Sequence, residues 1–292
     1  MTLDKIQACA AETLSLFMRT MPEVPFAEED ITFEFVPRHL MVERAKALYA
    51  QYRPDDSINE SRAWELENTI AACAIIGREQ SAVLVRDDPR NTRQEWRDIF
   101  FHELMHIFCA KAEMDGEHFI DIYGSGHTPD ENPDNKAYDG ALNAGYVIWS
   151  EFIAQYYALV KAEPQRFTFA RINKQTIAEN LMEVHQGTSS ESCKRCFSMA
   201  CSYLLACTDA KKVLSRIAAP NFIWNDSAPY GEETRTSFLS CAKLLYARLQ
   251  NERPWKITEE FIGELGTGFL MFKTMNSFYL SKLEEVWDAG ES

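Results

Sequence analysis

Strand-forming sequence is confined to the first third of the chain, and that asymmetry constrains the fold more than any other feature. Ile31-Thr-Phe-Glu-Phe-Val36 alternates with period two and stops at Pro37, the pattern of a half-buried strand. Thr69 to Ile76 and Ser81 to Val85 are short apolar runs joined by Gly77-Arg-Glu-Gln80, which predicts a hairpin with one strand at an edge. Three strands make a small sheet, and a small sheet needs a helix to cover it. From Thr92 onward the apolar residues recur at helical spacing instead. The expected class is α+β: a small N-terminal β-sheet packed on the helix that follows it, and a mainly α-helical C-terminal half.

The covering helix has a legible start. Asp87 to Asn91 breaks the strand, Thr92 supplies a capping hydroxyl, and Glu95 three residues on completes a capping box. Trp96, Ile99, Phe100, Leu104, Ile107 and Phe108 then recur at helical spacing until Asp115-Gly116 ends the run. Upstream, Met1 to Thr20 and Met41 to Gln51 read as helices, the second followed by a polar loop at Asp55–Ser61. Downstream, Met114 to Leu142 contains Gly116, Gly124, Gly126, Pro129, Pro133 and Gly140 and reads as one long loop. Ala144 to Lys161 regains helical spacing, as do segments near 167–186, 191–216, 235–250, 257–265 and 269–287. These elements divide into a region 1–162 that carries strands and candidate chemistry, and a helical region 163–292.

Composition narrows the partners. A net charge of −14 repels a phosphate backbone, and no basic stripe runs along the chain, which argues against nucleic acid. Asp4, Lys5 and Glu12 interrupt the first apolar positions, unlike the core of a secretory signal, and no run approaches the ~18 apolar residues of a membrane span. The expected setting is cytoplasmic, away from membranes, with the eight cysteines reduced. Cys193, Cys196, Cys201 and Cys207 cluster, but only Cys193 and Cys196 form a close pair. Positions 193, 196, 200, 204 and 207 share a helical face, so buried core thiols are the expectation. A redox pair or a second metal site is the alternative.

Within the capped helix lies His102-Glu-Leu-Met-His106, an H-E-x-x-H pattern. Residues i and i+4 project side by side from one helical face. Two imidazoles so placed reach one Zn²⁺ at about 2.0–2.1 Å, while Glu103, one position round, reaches a water activated by the metal. With six histidines, chance yields this pattern in about one in a hundred such chains. Its place in an amphipathic helix directly behind a strand pair is what makes it informative.

A metzincin would carry glycine and histidine three and six residues after His106, where this chain has Cys109 and Ala112. Trp149-Ser-Glu-Phe-Ile-Ala-Gln-Tyr-Tyr-Ala158 instead presents Glu151 on a later helix. Asp134, Asp139, His118 and His127 lie between and are rival third ligands. Over residues 70–160 the combination resembles the gluzincin clan of zinc metallopeptidases, in which a glutamate on a second helix completes the site. The resemblance implies a zincin-like fold, Zn²⁺ held by His102, His106 and Glu151, and Glu103 as the base in hydrolysis of a peptide or protein substrate. Many gluzincins have an aspartate four residues after the ligand glutamate, where this chain has Gln155. Asp98, one turn before His102, is the candidate to orient a ligand histidine in its place. Tyr138, Tyr146, Tyr156, His118, His127 and His185 are candidates to stabilise an oxyanion, and no spacing singles one out. The rival reading is a non-enzymatic zincin-fold domain that senses or binds a partner. The presence of Glu103 argues for catalysis, because a purely structural site has no use for a base.

Overall fold

In a computed structural model, residues 1–54, 57–87, 90–112, 133–162, 174–186, 190–216 and 232–290 are described. They fall into two units, one formed by Met1–Met114 with Tyr157–Pro164 and the other by Asp115–Tyr156 with Gln165–Ser292. Among the described residues the protein is mixed α and β, mostly helical, with one small sheet.

The first unit runs α1 (Leu3–Thr20), β1 (Ile31–Val36), α2 (Met41–Tyr52), α3 (Glu60–Asn68), β2 (Ala72–Ile76), β3 (Ser81–Arg86) and α4 (Arg93–Lys111). The strand order is β1-β3-β2. β1 pairs with β3 in parallel, Ile31 opposite Ser81, and β2 pairs with β3 antiparallel, Ala74 opposite Val83. The central strand β3 is buried along its whole length, which requires cover on both faces. On one face Met41 and Leu48 of α2 and Leu66 of α3 pack with Cys73, Ile75, Ala82 and Leu84. On the other, Phe33 and Phe35 meet Phe100 of α4 edge-on, with centroids 5.5 and 6.5 Å apart. α1 packs on α4 through Phe17, whose ring lies 4.9 Å from Phe101 and 6.0 Å from Phe108.

Helix α3 has no counterpart among the expected elements. Asn59 caps it, its side chain accepting from Arg62 N at 2.8 Å. Among the described side chains of α3, Leu66 alone is buried, so the periodic apolar stripe that marks a helix is missing.

The second unit contains α5 (Pro133–Tyr157), α6 (Lys174–Gln186), α7 (Ser190–Leu205), α8 (Ala210–Arg216), α9 (Glu232–Leu249) and α10 (Glu259–Gly290). Two expectations need correction here. Residues 133–142 are helical, not loop. Pro133 stands at the first helical position, where a missing N–H costs nothing, and Gly140 is an interior residue with open space around it. The segments expected at 257–265 and 269–287 are one helix, α10. Its Gly266 is interior because the backbone of α5 lies against it: a Cβ there would sit 1.7 Å from the Ala141 carbonyl oxygen, and one at Gly145 would sit 1.9 Å from that of Ile262. α7 grips α5 as well, with Ser198 and Ser202 donating to the carbonyls of Ile148 and Phe152 at 3.0 and 3.2 Å. Residues 113–132 of the expected loop and 167–173 of the expected helix lie outside the described residues. Among the described residues no helix is long and apolar enough to cross a membrane.

Candidate metal centre

The site begins with a helix start that the chain specifies locally. Thr92 Oγ1 accepts from Glu95 N at 3.3 Å, and Glu95 returns the bond to Thr92 N at 2.6 Å. The Thr92 N–H holds the Glu95 carboxyl below its ordinary value, as a hydrogen bond to the charged form does. At the other end of α4, Lys111 Nζ donates to the carbonyls of Gly77, Arg78 and Glu79 at 3.3, 3.2 and 2.8 Å. The turn between β2 and β3 is thereby tied to the helix that carries the motif.

The motif lies between these two anchors. His102 Nε2 and His106 Nε2 are 3.0 Å apart, with their rings at 79°. Two nitrogens bound to one tetrahedral metal at about 2.05 Å sit about 3.3 Å apart, so the observed pair converges as ligands of one ion do. One carboxylate oxygen of Glu151 joins them: the three donor atoms all lie within 4.8 Å of one another, on partly buried side chains. Among the described residues this is the only group of histidine, cysteine, aspartate or glutamate side chains that could hold a metal ion. The donors are two imidazoles and one carboxylate, a set whose chemistry fits a divalent transition metal such as zinc.

Glu103 stands beside this cluster and points at the sheet. Its Oε2 accepts from Ala74 N at 2.7 Å. Arg86 N bonds to Ala71 O and Gly77 N to Gln80 O, so the backbone groups of odd-numbered β2 residues face β3. Those of Ala72, Ala74 and Ile76 face away, and Glu103 takes the middle one.

The structure also locates other expected residues. Asp139 lies in α5 outside the cluster, and Asp98 accepts from Gln94 Nε2 at 3.0 Å. Tyr138 is half exposed and donates to Glu259, while Tyr156 stacks on Phe152 with centroids 5.8 Å apart. The side chains of His118, His127, Asp134 and His185 lie outside the described residues. The cysteines are free thiols. Burial pushes Cys196 up and raises Cys207 and Cys241 to about 12, the reverse of an activated redox thiol.

One neighbour was not foreseen. Arg195 of α7 pairs with Glu151, Nε to Oε1 at 3.4 Å. Nothing local in the sequence joins these residues; the packing of α7 on α5 does. No protein-family model, curated protein or solved structure matches the chain.

Proposed function

We propose that the protein is a zinc-dependent hydrolase of the zincin type that cleaves peptide bonds. The observation that carries this reading is the convergence of His102, His106 and Glu151 donor atoms with Glu103 beside them, uninvolved in the cluster. His102, His106 and Glu151 would hold a zinc ion, which would supply a Lewis acid able to acidify a water and polarise a carbonyl. Glu103 is the base: anchored through Oε2 on Ala74 N–H, it takes the proton of the attacking water and passes it to the leaving amine. The anchoring matters because a base must be held within hydrogen-bond reach of the atom it serves. An acidic surface favours basic or neutral segments over acidic ones.

Metal analysis and a peptide-cleavage assay on the purified chain test this. We expect close to one equivalent of zinc, abolished in His102→Ala or His106→Ala. Glu103→Gln keeps the volume and removes the basic oxygen, so zinc content and Tm stay near wild type while cleavage falls by at least ~10²-fold. Stoichiometric zinc in the double histidine variant sinks the site. Full activity in Glu103→Gln sinks the mechanism.

A further inference from the structure

The ion pair between Arg195 and Glu151 is unused by the chemistry above. Inferring its role rests on the reading that Glu151 is a metal ligand. We propose that Arg195 acts through Glu151 as a positioning residue that lowers metal affinity: it occupies the carboxylate in the metal-free protein and shares it with the metal in the loaded one.

Three observations support it. The pair is only partly exposed, 31% for Arg195 and 21% for Glu151, and the Arg195 Nε atom is sealed from solvent and meets Glu151 as an ion pair rather than through a hydrogen bond. Water therefore screens the guanidinium poorly. Its backbone is also fixed, because Ser198 and Ser202, in the turns that follow, bind the carbonyls of α5. Finally, the neighbouring Lys194 belongs to a separate network, donating to Asn143 at 2.9 Å and Glu191 at 2.5 Å. Arg195 alone of the two is directed to the ligand.

The consequence follows from charge. Two neutral imidazoles and one carboxylate offer a dication a single negative charge. A guanidinium fixed beside that carboxylate cancels it, yet repels any cation the carboxylate binds. The carboxylate has two oxygens, so Arg195 on Oε1 leaves room for sharing rather than exclusion. The ion is then held less tightly and remains more electron-poor than the same three donors would leave it.

Sign separates this role from a merely structural one. A residue that only supports the fold lowers both stability and metal affinity when removed. Arg195→Met should instead lower the Tm of the metal-free protein while tightening zinc, measured by competition with a chelating dye, by about tenfold or more. Arg195→Lys keeps the charge and should stay within about threefold of wild type. Should Arg195→Met fail to fold, Arg195→Gln carries the same expectation. Weaker or unchanged zinc binding in the neutral variants overturns the inference. Glu151→Gln is run alongside: weakened zinc binding there upholds the ligand and leaves the Arg195 variants to decide, whereas unchanged binding overturns the ligand assignment and the inference with it.

Discussion

Helices α4 and α5 each carry residues of the candidate metal centre, yet they are specified in opposite ways. α4 announces itself locally: a capping box starts it, an apolar stripe runs along it, and its two histidines are one turn apart. α5 has a proline at its start and glycines within it, and local rules read its first part as loop. Its specification is tertiary. Gly145 and Gly266 let two backbones touch, and the serines of α7 bond to its carbonyls. One helix is written in its own sequence, the other in its neighbours'.

Two glycines of α5 give the sharpest test of that difference. A Cβ at Gly145 meets backbone at 1.9 Å, which no rotamer change relieves, so Gly145→Ala should cost at least ~3 kcal/mol in denaturant unfolding. A near-neutral result would show that α5 does not depend on this contact. Lys111→Met probes the other helix by removing three bonds to the hairpin turn. A loss of about 1–2 kcal/mol is expected, and a loss several times larger would mean that α4 too leans on its surroundings. Gly140→Ala, in open space, should stabilise by up to ~1 kcal/mol through helix propensity. Opposite signs at positions 140 and 145 are the signature sought; destabilisation at both would break the distinction. The smallest effect is expected where the thiols sit. Cys193→Ser with Cys196→Ser should leave zinc content unchanged, and a fall by half would reveal a second site in α7.

What was legible in the sequence follows the same line. The hairpin, the capping box and the i, i+4 histidines depend on residues within a few positions of each other. Glu151 was legible as one acidic candidate among several, because a helix after His106 could be seen but not its packing. Arg195 was invisible, since its approach to Glu151 is set by how α7 lies on α5. Gly266 misled in the other direction: a residue that permits backbone contact looks, to a local rule, like the end of a helix. α3 escaped for want of an apolar stripe, Leu66 being the lone buried side chain described there.

The bond from Ala74 N–H to Glu103 has a consequence unrelated to turnover. β2 pairs only with β3 among the described strands, and an exposed strand edge invites pairing with any extended chain, including a sibling molecule during crowding or refolding. A carboxylate seated on the middle N–H places a charge where an intruding strand would have to lie. Trimming Glu103 to alanine would thus remove the proposed base and at the same time open an adhesive edge, so a variant made to silence the site would be prone to self-association. Glutamine, which loses the charge but keeps an oxygen on that N–H, leaves the N–H occupied.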